Sequence, residues 1–390
     1  MQPDRPARSV LWAAVSALAV LSWQVLTVHY NYGGNWTALF CTGGNLKTPP
    51  QLAGENLYRF QNSNGWDGQF YHYIAHDPTL ANGMARYIDA PRLRYRRILI
   101  PALAFLLAGG SQSHIDCAYR VVILFFFALG GYWLSRLAQC SGYHAAWGLA
   151  VVLIPASLVS MDRMALDIGL VACCLGLALY SEAHESAWKL YAVLVCAGLV
   201  RDTGWLLIAA YVLWLLRTKQ FGRALVFGTT TAPALAWYAF VYSRTPNYQG
   251  PGALAMLFSG IADRLLHPVT YALPAFQSTI ASIFDFVALT GILVAFVLAV
   301  LLVRRAGISP TSVAAILFLL LGVLIWRPND WVSVYDYGRI LSPLLIFLAL
   351  HGVRSHQWAW LTPLAMVTPR VGVQLALQVI GVARGLMHFA

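Results

Sequence analysis

NGWDGQFYHYIAHDP, residues Asn64 to Pro78, is a polar and aromatic stretch in a chain otherwise dominated by apolar runs. The Asn-Gly pair breaks the chain, and Asp67 stands where a helix could begin. Helical spacing divides the following residues between two faces, one with Gln69, His72 and His76 and the other with Trp66, Phe70, Tyr73 and Ile74. This pattern predicts an interfacial amphipathic helix on a membrane surface.

The composition around this stretch indicates a membrane protein. Hydrophobic residues make up 59% of the 390 residues and charged residues only 11%, and many apolar runs approach membrane-spanning length. The 26 Lys and Arg residues exceed the 15 Asp and Glu residues, but no basic helix, zinc pattern or single-strand binding motif indicates nucleic acid. Membrane lipids with anionic headgroups, or a phosphorylated lipid, are the expected partners.

The order of the apolar runs predicts an all-α, polytopic transmembrane protein with about 10–12 spans in a single transmembrane domain, residues 1–390. A basic N-terminus precedes the run from Val10 to Val28, which we interpret as an uncleaved signal anchor with a cytoplasmic N-terminus. Residues 29–97 then form a long extracytoplasmic loop carrying interfacial helices. The next apolar run, Ile98 to Ala108, is too short to span, so Tyr119 to Leu137 is the predicted second span.

With that assignment, the short basic loops between later spans fall on the inner side, as the positive-inside rule requires. The same alternation places four polar clusters on the outer side, at residues 161–167, 201–203, 243–282 and 327–339. Trp188–Val200 and Gly204–Leu216 are too short to span separately and predict a hairpin or one broken helix. Arg201 and Asp202 would then line a cavity that opens outward. The tail from Trp358 onward could form either one span or two.

Several polar residues suit catalysis or ligand binding, and each also has a simpler interpretation. Asp67 could serve as a helix N-cap, or as a general base toward a hydroxyl acceptor. His72 and His76, spaced i, i+4, could hold a metal with Asp67 or Asp77. The simpler hypothesis, which the spacing favours, places both histidines on the solvated face of the interfacial helix.

Charged residues at the ends of the predicted spans form a second group of candidates. The arginines at positions 92, 94, 96 and 97 could bind phosphate bidentately or extend to lipid headgroups. Asp336 and Arg339 have i, i+3 spacing, which predicts a local ion pair, and Arg339 could instead face a lipid phosphate, with Tyr335 and Tyr337 as interfacial anchors. Asp162, Arg163 and Asp167 form a third set, in which Arg163 and Asp167 have i, i+4 spacing. These distant charges could converge on one cavity.

The layout of one span, a long outer loop with an early acidic residue and then many spans resembles the GT-C superfamily of membrane glycosyltransferases. Trp66-Asp67 is similar to the acidic motif of its mannosyltransferase branches. DRMALD, Asp162 to Asp167, resembles the outer-face Ser/Asp-Arg...Asp stretch of its aminoarabinose and protein mannosyltransferase branches. LVRDTGWLL, Leu199 to Leu207, resembles a short-helix segment that they share. The resemblance covers most of the chain in layout and short pieces in motif.

This resemblance implies an inverting glycosyltransferase of a bacterial inner membrane. It would take a sugar from a polyprenyl-phosphate donor at the outer face and pass it to a glycan, lipid or protein hydroxyl. Asp67 would be the catalytic base, and the substrate-binding residues would be Trp66, His72, Arg94, Arg96, Arg97, Asp162, Arg163, Arg201, Tyr337 and Arg339. Two features differ from the best-known members of the superfamily: the outer loop has no DxD motif, and the chain has no apparent soluble C-terminal domain. The acceptor and a divalent-cation requirement therefore stay open, and no metal ligand is assigned.

Two other classes of function fit some of the same features. A lipid or small-molecule transporter, such as an envelope flippase, would also have intramembrane charges and broken helices. It should show two halves with matching interruptions, whereas only the break at Arg201 is evident. A non-catalytic scaffold in an envelope-glycan complex is the third hypothesis, and it would tolerate replacement of Asp67 by Asn.

Overall fold

The computed structural model describes residues 6–182, 186–246, 258–269, 271–325 and 328–389. Most of these residues are helical, and the only strands in these ranges are the short parallel pair β1 (Thr42–Gly43) and β2 (Arg59–Phe60). The predicted polar clusters at 243–282 and 327–339 fall partly outside the described residues, as do positions 1–5 at the basic N-terminus. The prediction of an all-helical protein is confirmed.

The helices vary widely in length. The α-helices are α1 (Pro6–Tyr32), α2 (Asp67–His76), α3 (Pro91–Tyr95), α4 (Leu99–Leu107), α5 (Ile115–Cys140), α6 (Pro155–Arg163), α7 (Asp167–Glu182), α8 (Ala187–Val200), α9 (Trp205–Arg217), α10 (Phe221–Gly228), α11 (Ala232–Arg244), α12 (Ser259–Leu266), α13 (Ala275–Ala306), α14 (Pro310–Leu324), α15 (Pro328–Val332), α16 (Val334–Ile340), α17 (Ser342–Ser355), α18 (Thr362–Val373) and α19 (Ala376–Phe389). The 3-10 helices are Trp36–Phe40, Pro50–Leu52, Met84–Tyr87, Gln112–His114, Ala145–Leu153, Asp202–Gly204, Thr229–Thr231 and Trp358–Leu361.

Several helices have the length and apolar composition needed to cross a membrane. Among the described residues these are Ala7–Tyr32, Gln112–Cys140, Phe221–Arg244 and Ala275–Ala306. Two bent pairs raise the number from four to six if each is one span: Ala145–Leu153 with Pro155–Arg163, and Trp358–Val373 with Ala376–Met387. These numbers are lower than the 10–12 spans predicted, because other apolar runs form helices of only 10–17 residues. The second bent pair, with a 56° break, gives the tail one candidate span if its two helices cross together.

The interior is organised around α7 and α17. α7 packs against α5, α8 and α17, and α5 also packs along α1. Residues from Asp167 to Ala178 in α7 and from Ser342 to Leu348 in α17 are buried without interruption. A helix that is apolar on nearly all sides is stable only when other helices surround it, which explains why both helices are central.

α2, the helix that follows Trp66, also lies in the interior. Every residue from Gly68 to His76 is buried, under contacts with α4, α5 and the Trp36–Phe40 turn. The prediction of an amphipathic helix with a solvated polar face is therefore wrong. Its polar side chains are covered by other segments of the chain, and these segments supply hydrogen-bond partners for Gln69, His72 and His76.

Two local predictions about short helices are confirmed. The apolar run at Ile98–Ala108 forms only the nine-residue α4, far shorter than the roughly 20 residues a span needs. The chain also breaks between α8 and α9, where Asp202–Gly204 forms a single 3-10 turn. A Cβ on Gly204 would lie 1.9 Å from the Ala197 carbonyl oxygen, so only glycine permits this close approach.

The predicted polar cluster at residues 161–167 coincides with the break between α6 and α7, whose left-handed geometry was not predicted. α6 ends at Arg163, and Met164 has a left-handed backbone with φ 48°. The hydroxyl of Ser160 accepts a hydrogen bond from the Ile168 amide at 2.9 Å, and Tyr119 donates to the Met164 carbonyl at 3.1 Å. These bonds compensate for the interrupted helix ladder and direct the charged ends of α6 and α7 toward α2 and α16.

Candidate functional site

Asp67, the first residue of α2, binds two arginines that are distant in sequence. Its Oδ1 lies 2.8 Å from Arg94 Nη1 and its Oδ2 lies 2.7 Å from Arg339 Nη1. The Asp67 side chain is 19% exposed, and those of Arg94 and Arg339 are 11% and 12% exposed. A mostly buried carboxylate between two guanidinium groups is a strongly charge-assisted arrangement.

Ion pairs continue outward from Asp67, and the Tyr71 hydroxyl, which accepts from both Arg94 and Arg97, joins them to the pairs of Asp202 in a network that we call the Asp67 cluster. It contains Arg94, Arg96, Arg97, Arg201 and Arg339 on the positive side and Asp67, Asp89, Asp167, Asp202 and Asp336 on the negative side. Arg201 contacts Asp167, and Asp167 Oδ2 lies 3.8 Å from Arg339 Nη1. Five cations therefore face five anions, so the cluster is close to electrically neutral.

The helix break at Asp202 extends the cluster toward the arginine-rich segment. Asp202 accepts from Arg97 Nε at 2.9 Å and lies 3.0 Å from Arg96 Nε. Arg97 Nη1 also donates to the Tyr71 hydroxyl at 2.9 Å. The fourth arginine of the segment, Arg92, instead donates to the Thr245 carbonyl at 2.8 Å. Three of the four predicted phosphate ligands thus belong to the cluster.

Trp66 and Arg163 form an adjoining cation-π contact. The Arg163 guanidinium lies 3.6 Å from the centre of the Trp66 ring and 5.0 Å from that of Tyr335. Arg163 Nε lies 3.4 Å from Asp162 Oδ2, and Nη1 of Arg163 is buried with no hydrogen-bond partner in the described part of the chain. This guanidinium therefore retains donor capacity for an anion beside Asp67.

Gly68 allows α2 and the end of α6 to approach each other closely. A Cβ at this position would lie 2.2 Å from the Arg163 carbonyl oxygen and 3.0 Å from that of Phe40. Because both neighbours are backbone atoms, no side-chain rotation could relieve the overlap. The absence of a side chain at Gly68 thus brings Asp67 next to the Arg163 segment.

The electrostatic environment of Asp67 lowers its basicity. Burial alone would raise the pKa of this carboxyl, but the guanidinium groups of Arg339 and Arg94 outweigh burial and hold the pKa well below its ordinary value of 3.8. Asp67 is therefore ionised at neutral pH. As long as both arginines bind it, it is also a weak proton acceptor.

This lowered pKa makes a prediction about stability against pH. A carboxylate with a depressed folded-state pKa contributes stability above its unfolded pKa, and that contribution is lost as pH falls through the folded-state pKa. We expect Asp67→Asn to unfold at a lower temperature than wild type at pH 7, and the difference to shrink as pH falls below about 4. Thermal unfolding in detergent from pH 7 to pH 3 measures this. A difference that stays constant over the range would contradict the ion-pair assignment.

Three predicted interactions differ in the structure. Arg163 does not form the i, i+4 pair with Asp167, because the left-handed Met164 ends the helix between them and Asp167 contacts Arg201. Tyr337 is fully buried and stacks on Trp331, so its assignment as an interfacial anchor is wrong. The same holds for Tyr335, which is 2% exposed.

The histidines of α2 lie outside the Asp67 cluster. His72 and His76 are fully buried, and the proposal of a solvated face for them is wrong. Neither Asp67 nor Asp77 accompanies them, since Asp77 accepts backbone hydrogen bonds from Ala81, Asn82 and Met84. Their acidic neighbours are Glu55 and Asp116.

A second buried ion-pair group was missed by sequence reasoning. Asp285 of α13 accepts from Arg264 at 2.9 Å, from Arg370 at 2.7 Å and from the Tyr271 hydroxyl at 2.5 Å. Asp285 is 3% exposed and lies within a candidate span. A lone carboxylate within a very apolar segment was the available signal, because such a group requires a cationic partner.

The fold and the site together define a class: an all-helical protein with apolar helices long enough to cross a membrane and a buried arginine-carboxylate cluster where several helices end. Searches against protein-family models, curated proteins and solved structures found no match. The function must therefore be inferred from the cluster itself.

Proposed function

We propose that the protein is a GT-C-like membrane glycosyltransferase that moves a sugar from a polyprenyl-phosphate donor to a hydroxyl acceptor on a glycan, lipid or protein. The observation that carries the proposal is the Asp67 carboxylate held between Arg94 and Arg339. This arrangement brings one candidate base into direct contact with groups suited to binding a phosphate.

In the proposed reaction the acceptor oxygen attacks the anomeric carbon of the sugar, and its proton passes to Asp67. A new glycosidic bond forms as the bond from the anomeric carbon to the phosphate oxygen breaks, with inversion, and the electron pair leaves with the polyprenyl phosphate. Negative charge grows on that phosphate as the bond opens. Guanidinium groups that bind this phosphate would therefore stabilise the transition state more than the ground state.

The neutrality of the Asp67 cluster supports a specific order of events. An entering phosphate has to compete with carboxylates for Arg94 and Arg339, and Asp67 is the carboxylate that both of these arginines bind. Transfer of one or both guanidinium groups to the phosphate would remove the charges that depress the pKa of Asp67. In this mechanism Asp67 becomes an effective base only after the donor has bound. Asp67 would therefore not deprotonate an acceptor or water in the absence of donor.

Arg163 and Trp66 are suited to binding the part of the donor where the sugar joins the phosphate. The Arg163 guanidinium has an unused buried donor and lies 3.6 Å from the centre of the ring of Trp66, the residue directly before Asp67. Aromatic faces and arginine forks are common partners of sugars and phosphates respectively. We assign both residues to donor binding.

The proposed location is the outer half of a bacterial inner membrane. The positive-inside rule assigns the short basic loops to the cytoplasm. In that topology the Asp67 cluster lies on the other side of the membrane from these loops. A transporter for the same lipid remains the rival function. It would bind the donor but leave its glycosidic bond intact.

The lipid that copurifies with the protein tests the substrate class. We expect mass spectrometry of a gently extracted, detergent-purified sample to find a polyprenyl phosphate or its sugar conjugate enriched over the whole-membrane extract. Arg370→Ala, which disrupts the separate Asp285 group, is the matched control and should retain that lipid. Bulk phospholipid alone in the wild-type sample would contradict the proposed donor.

A further inference from the structure

The two histidines of α2 face two carboxylates from other parts of the chain. Nε2 of His72 lies 3.1 Å from Nε2 of His76 and 2.6 Å from Asp116 Oδ1. Nε2 of His76 lies 3.5 Å from the same Asp116 oxygen and 3.6 Å from Glu55 Oε1. Glu55 Oε2 is 3.8 Å from His72 and has no hydrogen-bond partner in the described part of the chain.

These distances match the spacing of ligands around one metal ion. Zinc bonds to imidazole nitrogen and carboxylate oxygen at about 2.0–2.2 Å, so tetrahedral ligand atoms lie roughly 3.4 Å apart. Most of the observed separations fall close to that value, and the candidate atoms all lie within 4.8 Å of one another. The 2.6 Å contact of His72 with Asp116 must lengthen when an ion binds between them.

The surrounding residues orient both rings toward the same point. Nδ1 of His76 lies 2.6 Å from the Gln112 side-chain oxygen, which can only accept a hydrogen bond. Gln112 therefore keeps the proton on Nδ1 and leaves the Nε2 lone pair free for a metal, as second-sphere partners of ligating histidines commonly do. The His72 ring stacks on Phe40 with 4.1 Å between centroids and an 11° angle between planes.

The group is also accessible to an ion from outside the protein. Both imidazoles are fully buried, whereas the Glu55 and Asp116 side chains are each 25% exposed. An open pocket lined by Asn35, Thr37, Glu55, Gln112 and Asp116 reaches the two carboxylates. An ion could thus bind from this pocket without opening the helical core.

We propose that Glu55, His72, His76 and Asp116 form a binding site for a divalent transition-metal ion of the zinc class. Two imidazole nitrogens exclude the hard cations Mg²⁺ and Ca²⁺ as preferred occupants, because those ions bind oxygen ligands. Four protein ligands close the coordination sphere, which is typical of a structural site. The ion would link the segment before β2, helix α2 and the start of α5, and thereby fix the helix that begins with Asp67.

Metal binding by purified protein tests the site without reference to any enzymatic activity. Tag-free protein is treated with a chelator, dialysed, and titrated with Zn²⁺ in a calorimeter. Elemental analysis then measures how much metal is bound. We expect one Zn²⁺ per chain and a higher thermal unfolding midpoint. Glu55→Gln should weaken Zn²⁺ binding at least about tenfold, and His76→Gln should weaken it further.

A matched control separates this site from adventitious histidine binding. His267 forms an exposed i, i+4 pair with Asp263 at 2.9 Å, and His267→Gln should leave the affinity for Zn²⁺ unchanged. The proposal is overturned if the wild-type protein binds no Zn²⁺, or if His76→Gln binds it as tightly as wild type. Tighter binding of Mg²⁺ or Ca²⁺ than of Zn²⁺ would also overturn it. Glu55→Gln, at a partly exposed position, keeps the test valid if His76→Gln does not fold.

Discussion

Asp67→Asn is expected to lower sugar transfer by about a thousandfold, because the amide keeps the shape of the carboxylate but cannot accept the acceptor's proton. The measurement is transfer from a radiolabelled polyprenyl-phosphate sugar in proteoliposomes containing the purified variant. Donor binding should persist, since removing the carboxylate takes away a competitor for Arg94 and Arg339. The variant is thus expected to lose turnover while retaining or increasing affinity for the donor.

Asp89→Asn is the matched control for this substitution. Asp89 also binds Arg94, at 2.9 Å, but its side chain is 47% exposed and makes no contact with Arg339 among the described interactions. We expect it to lower transfer by less than about tenfold, as befits an exposed ion pair. Full activity of Asp67→Asn would remove Asp67 from the mechanism. Labelled donor that crosses the bilayer with its glycosidic bond intact would instead favour the transporter.

Arg339→Ala should weaken donor binding about a hundredfold, equivalent to about 2.7 kcal/mol, while changing acceptor binding little. The physical reason is that the Arg339 side chain is only 12% exposed, and the variant would lose the charge-assisted contact that we propose it makes to the donor phosphate. Arg339→Lys keeps the charge without the planar fork and should fall between alanine and wild type. Equilibrium binding of labelled donor, with separate titration of the acceptor in transfer assays, distinguishes the two effects.

Arg370→Ala controls for the general cost of deleting a buried arginine. Arg370 binds Asp285 at 2.7 Å and has a side-chain exposure of 12%, as Arg339 does. It should reduce thermal stability comparably but leave the donor affinity of the folded fraction near that of wild type. An equal loss of donor and acceptor binding in Arg339→Ala would contradict a role at the phosphate.

Much of the helical framework could be predicted from the sequence because it depends on local composition. The apolar runs, the short α4 and the break at Arg201 follow from how many consecutive apolar residues each segment contains. The meeting of Asp67 with distant arginines was expected only from the principle that charges at the ends of apolar helices need partners. The structure shows that Arg94 and Arg339 are the arginines in contact.

The failures have a common physical cause: periodicity describes one helix and contains no information about what covers it. α2 has two faces by spacing, but the residues that bury its polar face, such as Glu55 and Asp116, come from other segments, one before and one after the helix. Likewise, i, i+4 spacing predicts a pair between Arg163 and Asp167 only if the helix is continuous. Nothing in the letters DRMALD indicates the left-handed turn at Met164.

The contact between Gly68 and the Arg163 backbone has a consequence for recognising relatives of this chain. Even an alanine there would drive its methyl group into a peptide carbonyl, so a glycine directly after the first residue of the helix is obligatory wherever this geometry recurs. A distant sequence with the acidic residue but a bulkier successor must therefore space its two segments differently. Such a protein could share the chemistry without sharing this architecture.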